Sequence, residues 1–183
     1  MILCACKRDD KIILPRNVHK SVINALILNG GIPVYISPKS DEDLEISLGI
    51  SVDAVARCIQ ENPDAKAILL NNPTYYGICC DVQAIAALAH EHGLLVLTDE
   101  AHGAHLYFGE NLPLPGIKAG ADLAAISMHK SGSSLTQSSF LLIGEGIDTD
   151  NVRQVINLTQ TTSASYLLMA SLDLSRKNLA LHG

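Results

Sequence analysis

Short, almost entirely apolar runs recur along this 183-residue chain and are separated by helix-length segments. The clearest runs are residues 94–97 (Leu-Leu-Val-Leu), 66–70, 123–126 and 140–143, with further ones at 11–14 and 34–37. Runs without polar alternation predict strands that are buried on both faces. Strands that alternate with helices pair in parallel through right-handed crossovers. The sequence therefore predicts a three-layer α/β/α fold around a mostly parallel sheet.

The predicted helices are marked by residues typical of helix ends. Helices are expected at 18–28, 52–60 and 82–91, and the C-terminal stretch at about 150–183 reads as helical. The predicted N-caps are Asn17, Ser51, Asp81 and Asp150. Gly30 and Gly93 are expected to end the first and third of these helices. Near the N-terminus, Cys4 and Cys6 alternate like residues on one face of a strand.

Composition limits the classes of protein to which the chain can belong. At 19.5 kDa, residues 1–183 are expected to form one domain. The net charge of -6 argues against a nucleic-acid partner. Five cysteines without metal-type spacing favour reduced thiols in the cytoplasm. Charged residues follow the first few apolar ones, so neither a signal peptide nor a membrane span is expected.

Two reactive side chains follow predicted strands about thirty residues apart. Asp99 ends the run that begins at Leu94, and Lys130 follows the run that ends at Ile126. Ligands of parallel α/β sheets bind at the carboxyl ends of the strands. An amine for an aldehyde and a carboxylate for a pyridine nitrogen are what pyridoxal phosphate requires. The alternatives are that Asp99 caps the following loop and that Lys130 is a solvated loop lysine.

Several ordered motifs carry a resemblance to a known family. They are residues 14–21 (Leu-Pro-Arg-Asn-Val-His-Lys-Ser), 33–38, 72–77 (Asn-Pro-Thr-Tyr-Tyr-Gly), 99–105 (Asp-Glu-Ala-His-Gly-Ala-His), 127–130 (Ser-Met-His-Lys) and 160–166. At these positions the chain resembles the pyridoxal-phosphate-dependent ornithine/lysine/arginine decarboxylases of the aspartate-aminotransferase fold type. The likeness covers the central part of that family's large domain.

The resemblance implies a role for each matching residue. Lys130 would form a Schiff base with the cofactor, and Asp99 would pair with its pyridine nitrogen. Ala101 would lie against one ring face, and Ser127 and His129 would contact the phosphate. His102 would contact the phenolic oxygen of the cofactor or the substrate. Thr162 would contact the phosphate near a neighbouring subunit. His19 would be structural or lie at an interface.

Two of these positions leave other interpretations open. His102 and His105, three residues apart after Asp99, could suggest a divalent metal site, but no third imidazole is evident, so no metal is predicted. His102 could also be a purely structural histidine. The loop at 72–77 could line the pocket through Thr74 or Tyr75, and an ordinary strand-to-helix loop explains the same residues.

The chain departs from the family pattern in three ways. Ala164 stands where the family usually has proline, which bears on the role of Thr162. The family's Gly-rich phosphate turn and ring-stacking histidine are expected upstream of residue 1, and its C-terminal domain has no counterpart here. We therefore expect a fragment, one half of a split gene product, or a truncated form.

The function implied by the resemblance is decarboxylation of ornithine, lysine or arginine in the cytoplasm by a homodimer or larger homo-oligomer. The sequence does not distinguish among the three substrates. One alternative is an aminotransferase or another enzyme of the same fold type. The other is a non-catalytic truncated paralogue that only folds or dimerises. No nucleic-acid or membrane partner is expected.

Overall fold

A six-stranded sheet forms the centre of the computed structural model, which describes residues 1–182. The strands are β1 (Lys11–Pro15), β2 (Ile32–Ile36), β5 (Ala67–Asn71), β6 (Leu95–Asp99), β7 (Leu123–Ile126) and β8 (Phe140–Ile143). Their order across the sheet is β2-β1-β5-β6-β7-β8. The first five run parallel, which confirms the predicted α/β fold with a mostly parallel sheet. A separate two-stranded ribbon, β3 (Ser40–Asp41) and β4 (Ile46–Ser47), was not predicted.

The edge strand β8 runs antiparallel to β7. The connection between them contains only α5 (Met128–Ser131), a four-residue helix. At a rise of about 1.5 Å per residue, such a helix is too short to carry the chain back across a sheet face. The chain therefore returns along the same edge in the opposite direction.

Six further α-helices surround the sheet or extend from it. They are α1 (Ile2–Ala5), α2 (Lys20–Asn29), α3 (Val52–Glu61), α4 (Val82–Glu91), α6 (Thr149–Thr159) and α7 (Tyr166–His182). Ser51 and Asp81 cap α3 and α4 as predicted, each accepting a hydrogen bond from a first-turn amide. Cys4 lies within α1, so the strand-like interpretation of Cys4 and Cys6 is wrong. The assignment of residues 1–183 to one domain stays a prediction.

Two predicted caps are displaced by two residues. His19, rather than Asn17, is the N-cap of α2, and its Nδ1 accepts from the Ser21 amide at 3.2 Å. Asp148, rather than Asp150, caps α6 by accepting from two backbone amides. A cap is defined by the backbone angles at one residue, and several neighbouring polar residues can satisfy the same pattern.

Side chains on alternate strand residues fill two apolar layers, one on each face of the sheet. One layer packs β5 and β6 residues such as Ile68 and Val96 against α3 and α4. The other packs Leu14, Leu69 and Leu97 against α1 and α2. This double burial explains the apolar runs and fixes the strand ends as the accessible edge. No helix within residues 1–182 combines the length and apolarity needed to cross a bilayer.

Candidate functional site

A cavity of about 840 Å³ opens at the carboxyl ends of the parallel strands. Its walls come from the loops that follow β1, β5, β6 and β7. They include Asn17 and His19 after β1, Asn71 at the end of β5 with Pro73 and Tyr75 after it, Asp99 at the end of β6 with Ala101 and His102 after it, and Ser127, His129 and Lys130 after β7. The volume lies within the usual range for small-molecule sites. The fold thus brings together six of the seven residues that the sequence predicted for the site.

Asp99 is the last residue of β6 and is half-buried. Its neighbours in register are Asn71 of β5 and Ala125 of β7, both of which also line the cavity. Asp99 Oδ1 accepts a hydrogen bond of 3.1 Å from the Ala101 amide. Within residues 1–182, Oδ2 makes no hydrogen bond, so this oxygen can serve a ligand.

His102 and Lys130 meet across the cavity although 28 positions separate them in the chain. Lys130 Nζ lies 3.4 Å from His102 Nε2. Burial lowers the pKa of His102 below its usual 6.5, the Lys130 ammonium lowers it further, and Asp99 opposes them. Tyr75 and His102 pack edge to face, with their ring centroids 5.3 Å apart. His102 therefore lies beside the Lys130 amine in surroundings that favour the neutral imidazole.

Ser127 and His129 lie between β7 and Lys130, at the start of α5. Ser127 is the N-cap of α5, but its hydroxyl makes no capping hydrogen bond. His129 Nδ1 lies 2.8 Å from the Ser138 carbonyl oxygen and therefore carries a proton. Consequently His129 Nε2 can donate to an anion only when the ring is protonated, and otherwise acts as an acceptor. The Ser127 hydroxyl has no such restriction.

The loop after β1 contributes two cavity residues that the sequence did not predict for the site. His19 lines the cavity while its Nδ1 caps α2. Asn17 Oδ1 is buried without a hydrogen-bond partner in the described chain, although the Asn17 carbonyl accepts from Asn71 Nδ2 at 3.1 Å. A buried unpaired acceptor beside a cavity suits a ligand that donates a hydrogen bond. The signal that could have placed them there is their position directly after a buried parallel strand.

The seventh predicted residue, Thr162, and His105 of the metal alternative lie elsewhere. Thr162 is exposed and does not line the cavity, so its predicted phosphate contact near a neighbouring subunit stays a prediction. His105 is exposed and lies outside the cavity wall. Among residues 1–182, no cluster of three or more His, Cys, Asp or Glu side chains could hold a metal ion.

Comparison with known sequences gives a consistent result. The family model described as "Orn/Lys/Arg decarboxylase, major domain" matches residues 1–182. An arginine decarboxylase of Bacillus subtilis is 49% identical over 184 residues, which cover all of this chain and 38% of that protein. A second, from Halalkalibacterium halodurans, has the same identity and coverage. The chain thus spans about two fifths of the length of these two relatives.

Solved structures show the same fold. Thermus thermophilus aspartate aminotransferase matches with a TM-score of 0.73 at 19% identity, covering 97% of this chain and 46% of that one. The constitutive lysine decarboxylase of Escherichia coli matches with a TM-score of 0.74 at 24% identity, covering 96% and 26%. At these identities the likeness concerns the fold alone.

Proposed function

Because this chain belongs to the Orn/Lys/Arg decarboxylase major-domain family, we propose that it is the cofactor-binding part of a pyridoxal-phosphate-dependent decarboxylase of a basic amino acid. The observation that carries the proposal is the single cavity that contains both Asp99 and Lys130. Arginine is the first substrate to test, since relatives that are 49% identical are named arginine decarboxylase.

The residues present fit this cofactor. Among residues 1–182, the cavity offers a carboxylate with a free oxygen at Asp99, an amine at Lys130 and a hydroxyl without a hydrogen bond at Ser127. Asn17, whose Oδ1 is buried without a hydrogen-bond partner within residues 1–182, also lines this cavity. A carboxylate pairs with a pyridinium, an amine reacts with an aldehyde, and a hydroxyl donates a hydrogen bond to a phosphate. Asp99 would hold the ring nitrogen, Lys130 would bond to the aldehyde carbon, and Ser127 would donate to the phosphate.

The other cavity residues would position and enclose the ring. Ala101 presents only a methyl group, which allows a planar ring to lie close to the backbone. His19 offers an imidazole whose orientation is fixed by its cap on α2, and we infer that it contacts the ring. His129, once protonated, would add a second phosphate donor. Thr162 would contribute only from a neighbouring subunit, as the family resemblance implies.

The chemistry divides between the cofactor and the protein. When bound, pyridoxal phosphate supplies the electron sink that accepts the bonding pair as carbon dioxide leaves the α-carbon. Asp99 keeps that sink effective by stabilising positive charge at the ring nitrogen. Lys130 Nζ and His102 Nε2 are 3.4 Å apart and can share a proton. The proton that replaces the carboxylate can therefore be delivered by this pair.

Chemical trapping tests the cofactor assignment. We expect borohydride treatment of the chain with pyridoxal phosphate to label Lys130, as read by peptide mass mapping. Lys130→Ala should abolish this label, whereas Lys118→Ala, at a loop lysine outside the cavity wall, should leave it unchanged. Labelling spread evenly over the lysines would contradict the assignment.

Product analysis tests the reaction. Arginine, ornithine and lysine are each supplied with the cofactor, and carbon dioxide and amine are measured together. Equimolar carbon dioxide and amine would support decarboxylation. A keto-acid product would indicate an aminotransferase instead, and trapping at Lys130 without turnover would indicate a chain that binds the cofactor without catalysis.

A further inference from the structure

Glu100 is the only acidic or basic side chain among the buried residues of the described chain, with 0% of its surface exposed. No ion pair within residues 1–182 includes it. It follows Asp99 directly, and because successive residues at a strand end point in opposite directions, it lies away from the cavity that Asp99 lines. A buried carboxylate requires hydrogen-bond donors to be tolerated.

Two donors reach Glu100 from different parts of the next loop. Tyr107 donates its hydroxyl to Oε2 at 2.5 Å, and the Gly116 amide donates to Oε1 at 2.7 Å. Burial raises the pKa of Glu100, and these two hydrogen bonds oppose that rise. The carboxylate therefore joins the end of β6 to both halves of the segment that leads towards β7.

The same residue also fixes the turn that carries the cavity residues. The Gly103 amide donates to the Glu100 carbonyl oxygen at 2.8 Å, which closes a tight turn around Ala101 and His102. A β-carbon on Gly103 would lie 2.8 Å from Pro73 Cδ and 3.2 Å from Glu100 Cβ. The turn is thus packed closely against the loop after β5.

We propose that Glu100 is a positioning residue, which sets the placement of Asp99 and His102 through its hydrogen bonds with Tyr107 and Gly116. The proposal rests on the proposed function only in treating Asp99 and His102 as cofactor and proton-transfer groups. Their placement itself can be measured in the cofactor-free chain. Failure of cofactor binding would therefore count against the proposed function and would leave this proposal intact.

The pKa of His102 depends on where the imidazole lies relative to Lys130 and solvent. Its pKa is lowered by burial, by Lys130 and by His19, and is raised by Asp99. If the turn relaxes, His102 moves away from Lys130 towards solvent, and its pKa rises towards 6.5. Loss of the Glu100 charge without movement would not raise the His102 pKa, because removing an anion does not stabilise the imidazolium. The direction of the change separates positioning from simple electrostatics.

The experiment is an NMR titration of His102 in the cofactor-free chain, with the resonance identified by its loss in His102→Gln. We expect Glu100→Gln and Tyr107→Phe each to raise the His102 pKa towards its usual value. Tyr107→Phe keeps the charge of Glu100 and removes one hydrogen bond, so it decides the matter if Glu100→Gln does not fold. Val55→Ala, in the core layer on α3, is the control for lost stability and should leave the titration unchanged.

Three outcomes would overturn the proposal. The first is an unchanged His102 pKa in both variants. The second is a lower pKa in Glu100→Gln together with no change in Tyr107→Phe, which would reduce Glu100 to a distant charge. The third is an equal rise in Val55→Ala, which would show that any loss of stability loosens the turn.

Discussion

Replacing Gly116 by alanine tests how tightly the loop before β7 is packed on β6. A β-carbon at Gly116 would lie 2.3 Å from Thr98 Oγ1 and 3.0 Å from both Cβ and Cγ2 of Thr98. Thr98 is fully buried in a central strand and cannot withdraw, so the loop must move. Overpacking of this kind costs about 1–3 kcal/mol. Movement of the Gly116 amide also weakens its 2.7 Å bond to Glu100, and a bond to a charged group is worth about 1.5–3 kcal/mol.

The free energy of unfolding of Gly116→Ala should therefore fall by about 2–5 kcal/mol. Urea unfolding followed by circular dichroism measures it, since the chain has no tryptophan for fluorescence. Thr98→Ala provides the matched background, because it removes Oγ1 and Cγ2. There the same glycine substitution should cost at least about 1 kcal/mol less. Equal costs in the two backgrounds would refute the steric argument.

Three further predictions concern titration, reactivity and capping. Because the folded-state pKa of His102 lies below the usual 6.5, the unfolded chain binds more protons, and stability should fall as the pH drops below about 6.5. When urea midpoints are plotted against pH, His102→Gln should lose part of this dependence. Parallel plots for the variant and the unchanged chain would contradict the prediction. Burial raises the thiol pKa of Cys6 to about 11 and of Cys80 to about 12, so iodoacetamide at pH 8 should modify both only after unfolding, as peptide mapping would show. Asp148→Ala should lower the free energy of unfolding by about 1 kcal/mol, because it removes the α6 cap. Asp150→Ala, at an exposed position, should lower it by at most about 0.5 kcal/mol. The reverse order in thermal unfolding would show that Asp150 is the cap.

The local pattern of the sequence was sufficient for the layers of the fold. Apolar runs such as residues 94–97 predict doubly buried strands because burial on both faces excludes polar residues from every position. Ser51 and Asp81 were predicted as caps because each stands directly before a helical pattern. Asp99 and Lys130 were predicted for the site because Asp99 ends one apolar run, Lys130 comes shortly after another, and parallel strands end at one edge.

Only the tertiary structure decided how separate segments meet. The 3.4 Å approach of Lys130 to His102 depends on the pairing of β6 with β7, which no local pattern encodes. The reversal of β8 follows from the shortness of α5, and the cap at His19 from backbone angles at a single residue. No role was predicted for Glu100, and its burial became visible only with its donors in place. Sequence patterns report how each segment is buried, whereas contacts between segments depend on the packing of the whole sheet.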